Sequence, residues 1–537
     1  MKILGIATGA HSSGLCIMEN GKILISLEEE RHCRVKPYQD FYNNWTRFPY
    51  QSWFECFGRM KFEFKDIDYV ASHQSYDEIK WILSTFGFEY NQPEKHIFVD
   101  HHDCHIWGSY FLSGFTDETL CIAFDGMGFG YSAKYYLGNK GKLEYISGLE
   151  GSGVEDNSMA SLGLYYSIIT DFLEFKRIKD EGKVVGMSSH GQYNETWYNM
   201  FYNLISGQGI HNKRMSANEM IKQLYNDFIN IVGASYWKNK KQDLAFNAQL
   251  AFENRIVEIV DKLHEIYPTA KKIVLSGGCF ANIKVNKRIN DLEWVDEVFI
   301  IPPMGDEGIP IGACIYAHAK MNSDFIPYRL NNVFFGSSYT TNEIINYWDD
   351  SKFTLIKYSP EKVAQFLEQG KIIGFFQGGY EHGPRALGNR SILAHPGLDS
   401  TYKKVNDRLQ RNDFMPFAPS VLSEYAEQVF KCSKSKYTGE FMTMLYDTQD
   451  EWLEKIPAVV HPKDRTARAQ IVTSESNPKF YQLISHFYNL TQIPLLLNTS
   501  FNVHGEPIIC DPGNAFVHLE NGIVDGLVIE DLYFEKK

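Results

Sequence analysis

Thr119-Leu120-Cys121-Ile122-Ala123-Phe124-Asp125-Gly126-Met127-Gly128 is the stretch that decides the fold class. Its apolar first half predicts a short buried strand, and the glycines around Asp125 predict a turn that closes it. Ser132 to Leu137 and Leu143 to Ser147 return as further strands, completing a meander. The chain opens on the same pattern: Lys2 to Ala7, Gly14 to Met18 and Lys22 to Leu27, with Asn20-Gly21 as the hairpin signal. Two three-stranded openings in one chain predict a duplicated α/β fold. Amphipathic helical stretches follow at Ser158 to Leu173 and Ala245 to Tyr267, then a short strand, Lys272 to Leu275, and a helix start near Asn282.

The 537 residues exceed one ordinary core. Loosened polar sequence between Tyr328 and Ser359 sets the expected boundary near 350, giving domains 1–350 and 351–537. Past it, helix Pro360 to Gln369, strand Lys371 to Phe376 and strand Ile493 to Leu497 predict a separate α/β domain. A net charge of -13 argues against broad nucleic-acid binding, which depends on many Lys and Arg contacts. The nine cysteines are scattered without a CxxC pair, so neither a disulfide framework nor a zinc-thiolate site is expected. With no apolar run long enough for a bilayer, the expected location is cytoplasmic.

His101 and His105 stand four apart at the start of a helix predicted after strand His96 to Val99, so both imidazoles project from one face and suit capture of one metal ion. Asp125 and Asp306, the latter in Pro302-Pro303-Met304-Gly305-Asp306-Glu307-Gly308, each lie at a predicted strand end and add two carboxylates. Such a set suits Fe(II), Mn(II) or Zn(II), and spacing does not choose among them. His102 and Asp103 point around the helix. Ser276-Gly277-Gly278, between a strand and a helix, can cradle the ribose or phosphates of a nucleotide. The meanders, the metal set and this loop together describe an actin-like (ASKHA) nucleotide-binding fold.

A second anion site is predicted at Gly378-Gly379-Tyr380-Glu381-His382-Gly383-Pro384-Arg385-Ala386-Leu387-Gly388-Asn389-Arg390-Ser391. Glycines after a strand let backbone N–H groups approach a phosphate, and Arg385 and Arg390 supply permanently charged forks.

These segments, with Leu4 to Gly14, Glu28-Glu29-Glu30-Arg31 with Arg34 and Lys36, Gly182-Lys183-Val184-Val185-Gly186, Pro416-Phe417-Ala418-Pro419-Ser420 and Leu497-Asn498-Thr499-Ser500-Phe501-Asn502, give a chain that resembles the O-carbamoyltransferase family of the nodulation-protein and cephamycin-biosynthesis type over nearly its whole length. The resemblance implies a C-terminal YrdC-like domain that forms carbamoyl-adenylate from ATP and carbamoyl phosphate, with Mg2+ accompanying the nucleotide. It implies an N-terminal actin-like domain that moves the carbamoyl group to a hydroxyl. Arg385, Arg390, Arg468, Asn498 and Ser500 would line the first site, with Gly277, Gly278 and Lys183 on the nucleotide in the second. His11 would be the base for the acceptor hydroxyl and Lys36 a second electrostatic contact. The expected metal is Fe(II), with Mn(II) or Zn(II) as alternatives. The acceptor would be a sugar, an antibiotic-like compound, or a hydroxymethyl pyrimidine in a nucleotide or DNA, and no membrane is involved.

Two departures from the family pattern stand out. His11 is followed by Ser12 where the family has aspartate, and Leu409 to Met415 lack the family's lysine, glutamate and arginine, leaving Arg408 to replace the lysine's charge. The competing readings are a nucleotide-binding scaffold without turnover and an actin-like kinase or ATPase. The C-terminal anion site is expected to be self-contained.

Overall fold

The computed structural model describes residues 1–9, 12–36, 48–150, 154–155, 158–159, 161–206, 222, 226, 237–411 and 416–537. They form two compact units, Met1–Phe98 with Arg329–Lys537, and Val99–Tyr328. This grouping differs from the expected division at 350, because residues 1–98 pack with the C-terminal region.

In the first unit the opening sheet has strands β1 (Lys2–Ala7), β2 (Gly14–Glu19), β3 (Lys22–Glu28), β4 (Tyr69–Ser72) and β5 (His96–Phe98), in the order β3-β2-β1-β4-β5. The meander is antiparallel, and β4 and β5 add in parallel. In the second unit β6 (Thr119–Gly128), β7 (Tyr131–Asn139), β8 (Lys142–Glu150), β9 (Lys272–Ser276) and β10 (Glu297–Ile300) repeat that plan in the order β10-β9-β6-β7-β8. Again a three-stranded antiparallel meander is extended by two parallel strands. The central strands are buried on both faces, as the neighbouring residues Ile3 and Leu4, Cys121 and Ile122, and Ile273 and Val274 are all fully enclosed.

Two expectations shift. Asp125 lies within β6 rather than in a turn after it, because the strand continues through a register irregularity between Phe124 and Gly128 and reverses only at Phe129-Gly130. The helix expected from Ser158 starts at Leu162, capped by the Ser161 side chain, and Ser158–Met159 pairs with Val154–Glu155 as a short strand.

The rest of the first unit is an eight-stranded mixed sheet: β11 (Phe353–Lys357), β12 (Ile373–Phe376), β13 (Arg390–Ala394), β14 (Ala418–Leu422), β15 (Gln470–Val472), β16 (Leu495–Ser500), β17 (Gly526–Ile529) and β18 (Leu532–Lys536). Its order is β11-β18-β17-β12-β13-β16-β14-β15. Helices Pro360–Glu368 and Pro478–Thr491 bury Val363, Leu367, Phe480, Leu483 and Phe487 against Phe375, Leu393 and Val528, each such side chain contributing about 1.5–3 kcal/mol. Among the described residues no helix is long and apolar enough to cross a membrane.

Candidate functional site

The second unit brings His101, His105, Asp125 and Asp306 together, with one donor atom from each within 4.8 Å of the others. His101 Nε2 lies 2.9 Å from Asp125 Oδ2 and 3.4 Å from Asp306 Oδ1, while His105 Nε2 lies 3.8 and 3.5 Å from the same two oxygens. His105 Nε2 is buried and has no hydrogen-bond partner. Two imidazole nitrogens and two carboxylate oxygens converging in this way fit a divalent cation of the Fe(II), Mn(II) or Zn(II) kind.

The charges already present behave as a site waiting for positive charge. Burial pushes Asp125 and Asp306 upward, yet the two imidazoles hold both carboxyls below their ordinary value, Asp125 furthest. His105 moves the other way: burial opposes its charge, but the Asp125 and Asp306 carboxylates win and raise it to about 9. His102, buried beside these rings, is pushed down to about 4 by burial and then by the two neighbouring histidines.

Local sequence sets this geometry. Asp100 caps helix His101–Ser113 by accepting from the His102 and Asp103 amides, and Lys134 spans Asp100 and Asp103 at 2.7 and 3.0 Å. Asp103 is thereby engaged away from the metal set. Gly128 is required where β6 passes the helix, since a Cβ there would meet the His101 ring at 2.4 Å. The predicted nucleotide loop is tied to the Asp125 carboxylate and to the segment that carries Asp306: the Gly278 N–H donates to Asp125 Oδ1 at 3.2 Å, and the Gly277 N–H to the Met304 carbonyl at 2.8 Å, two residues before Asp306. Gly277 has φ +89, and a Cβ there would meet the Phe124 carbonyl oxygen at 2.2 Å.

The histidine helix crosses helix Ile309–Met321, which begins just after Asp306, at Gly108 and Gly312. A Cβ at Gly312 would lie 1.9 Å from the Cys104 carbonyl oxygen. Gly312→Ala is therefore expected to force the helices apart, lowering stability by about 1–3 kcal/mol or more and weakening metal affinity about tenfold as the ligands separate. Thermal melting with metal titration checks this; an unchanged affinity would mean the crossing does not set the ligand spacing.

In the first unit the loop expected to hold an anion is anchored by buried polar side chains. Glu381, fully buried, accepts from the Leu387, Asn389 and Arg390 amides at 2.6, 3.2 and 3.2 Å. Asn498 donates to the Ala386 carbonyl at 3.1 Å and to Ser420 at 2.9 Å, and Gln470 donates to the Leu387 carbonyl at 2.9 Å. Asn498 Oδ1 has no hydrogen-bond partner. Ser500 pairs with Ser391 along β16 and β13.

The arginines divide into two kinds. Arg468 is held well below its ordinary value, first by burial and then by the positive charges of Arg385 and Arg411. Arg411, which also reaches Thr499 at 3.3 Å, was not among the residues expected from sequence, although it stands in the segment where the family pattern is lost. Arg390 is a correction: it is fully buried, and its guanidinium donates to the carbonyls of Gln377, Asn389, Ser337 and Gly378 at 2.7 to 3.0 Å while stacking on Phe376 at 3.5 Å. It holds the loop and presents no fork to an anion. Arg408, expected to replace the missing lysine's charge, pairs with Asp525 at 2.8 Å through Nη2, while its buried Nη1 has no hydrogen-bond partner.

Of the remaining candidates, Lys183 pairs with Asp180 at 2.9 Å on its own helix. Lys36 acts electrostatically on Glu30, whose carboxyl burial raises against the pull of that lysine. His11, Asn412 and Met415 lie outside the described residues.

The second unit thus holds a possible metal set beside a glycine loop, and the first unit places Arg385 and Arg411 near Arg468. Comparison with known families gives the class: the carbamoyltransferase N-terminus profile matches residues 89–315 and the carbamoyltransferase C-terminus profile residues 364–536. An uncharacterized protein of Methanocaldococcus jannaschii, MJ1058, is 31% identical over 82% of this chain and 73% of its own length. Nodulation protein NolNO of Sinorhizobium fredii is 28% identical over 99% of this chain and 80% of its own. The chain belongs to the carbamoyltransferase family and is a carbamoyltransferase. Among solved structures, full-length HypF in its phosphate- and nucleotide-bound form is 17% identical over 60% of this chain and 56% of its own, with a TM-score of 0.34, a likeness too slight to carry an argument.

Proposed function

We propose that this enzyme forms carbamoyl-adenylate from ATP and carbamoyl phosphate and passes the carbamoyl group to a hydroxyl of a small molecule or modified nucleobase. The observation that supports the reading is the placing of Arg385 and Arg411 near Arg468, whose ionisation is depressed first by burial and then by their positive charges. Guanidinium groups gathered at one place suit the binding of a polyanion. Carbamoyl phosphate and ATP are such anions: water splits carbamoyl phosphate into carbamate and phosphate, and a carbamate oxygen then attacks the α-phosphorus of ATP and displaces pyrophosphate. This reading takes the C-terminal region as YrdC-like.

In the second unit Gly277 and Gly278 approach the nucleotide, and His101, His105, Asp125 and Asp306 would hold a divalent ion. When bound, that ion supplies positive charge to an adenylate phosphate oxygen. His11 accepts the acceptor's hydroxyl proton and Lys36 adds positive charge, roles that rest on their positions in the family motif. Arg408, anchored by Asp525, is the charge that would stand in for the lost lysine.

The test is release of pyrophosphate from ATP that depends on carbamoyl phosphate. Release of ADP with phosphate on the acceptor would identify a kinase instead, and binding without turnover would identify a scaffold.

A further inference from the structure

We infer that Glu28, the last residue of β3, and Arg31, in the helix Glu29–Cys33 that follows it, are positioning residues for the anion loop, so that carbamoyl phosphate binding depends on the N-terminal segment as well as on the C-terminal strands. The inference rests on the proposed role of that loop.

The loop has two halves with different supports. Residues 386–390 are held by Glu381, Asn498 and Gln470, all C-terminal. Residues 380–382 are held by the backbone of Val333 and Gly336, and residues 380–383 also by β3 and the helix Glu29–Cys33 after it. The Gly383 N–H donates to Glu28 Oε1 at 2.5 Å, and the Gly383 carbonyl accepts from Arg31 Nη2 at 2.5 Å, so both polar groups of this residue are fixed by one buried ion pair. Glu28 and Arg31 are themselves 3.3 Å apart. The Glu28 N–H donates to the Tyr380 hydroxyl at 3.1 Å, and the Arg31 guanidinium lies over the Tyr380 ring at 4.8 Å. His382 Nδ1 lies 3.3 Å from the Ser26 carbonyl and 3.6 Å from Glu28 Oε1. Gly383 has φ +110, a conformation natural to glycine alone, and Arg385 follows two residues later.

A buried ion pair gains little net stability over apolar side chains of the same volume, because desolvating two charges offsets their attraction. Here Glu28 is 6% and Arg31 1% exposed, and what the pair provides is a fixed Gly383 and hence a fixed approach of Arg385 to its anion. The C-terminal anion site is not self-contained, contrary to the sequence-based expectation. The same segment continues through Arg34, which donates to the Pro507 and Ile508 carbonyls at 2.9 and 2.8 Å, and reaches Lys36. A residue expected in transfer is therefore joined along one short segment to the loop expected in activation.

The experiment is calorimetric titration of carbamoyl phosphate, and separately of inorganic phosphate, into the full chain and into Glu28→Gln, with steady-state pyrophosphate release measured alongside. The substituted amide keeps an acceptor for the Gly383 N–H but leaves Arg31 without its counter-charge. The expected result is binding weakened about tenfold or more, with KM for carbamoyl phosphate raised by the same factor and kcat little changed. Loss of folded protein alone would lower apparent kcat and leave KM and affinity as they were, so equal affinity in parent and variant overturns the inference. If Glu28→Gln does not fold, Arg31→Lys, which keeps the charge and loses the fork, carries the same comparison. A parent that binds both anions yet releases no pyrophosphate defeats the proposed reaction while leaving the positioning role tested. A parent that binds neither anion removes the anion loop itself, and the inference with it.

Discussion

The His101→Ala, His105→Ala double variant is expected to lose its divalent metal and, with it, carbamoyl transfer. Removing both imidazoles leaves Asp125 and Asp306 as two nearby carboxylates without neutral donors, a set that no longer suits Fe(II), Mn(II) or Zn(II). Elemental analysis after equilibration with each metal is the check, and full occupancy in the double variant would reject the site. A pH dependence accompanies it. In the metal-free protein the His105 proton is held up to about 9 by the two carboxylates acting against burial. Because this folded-state value lies above the ordinary histidine value, its contribution to metal-free stability is complete below about pH 6.5 and is lost as pH rises through about 9. A metal must displace that proton, so apparent affinity is expected to rise about tenfold per pH unit across the same window and to level off above it. Affinity independent of pH between about 6.5 and 9 would mean that His105 is not a ligand.

Arg468→Ala should abolish pyrophosphate release, by about a hundredfold or more, while leaving the protein as stable as the parent or more so. The stability half of this expectation follows from its surroundings: Arg468 sits desolvated among the positive charges of Arg385 and Arg411, and removing one of three like charges relieves repulsion. Arg390→Ala should behave oppositely, since it strips the donors from four buried carbonyls and should lower the melting temperature sharply. Measuring melting temperature and turnover for both variants separates ligand-holding from loop-holding arginines. An Arg468→Ala enzyme with parental turnover would end the assignment of that cluster to substrate.

The residues that the structure brings together as the sequence led one to expect are those placed by local pattern. The repeated meander set the order of two five-stranded sheets, and the four-residue spacing of His101 and His105 put both rings on one helix face. Asp125 and Asp306 were found because strand ends of one sheet gather side chains at one edge, even though Asp125 proved to lie inside β6. Charge type alone could not say where an arginine points: Arg390 and Arg385 look alike in the motif, yet one faces backbone carbonyls. Arg408 likewise had a carboxylate partner, Asp525, 117 positions away. The grip of Glu28 and Arg31 on Gly383 spans more than 350 positions and leaves no local signal at either end. Gly128 and Gly312 carry meaning only through what a Cβ would strike, which depends on packing between distant elements.

The most direct measurement incubates the full chain, loaded with Fe(II), with ATP, carbamoyl phosphate and a panel of hydroxylated sugars, antibiotic-like compounds and hydroxymethyl pyrimidine nucleotides, followed by mass spectrometry of nucleotides and acceptors. The account predicts pyrophosphate and AMP from ATP and one acceptor class gaining a single carbamoyl group, with neither product formed when carbamoyl phosphate is omitted. ADP with a phosphorylated acceptor, or carbamoylated acceptor formed without ATP cleavage to AMP, would contradict it.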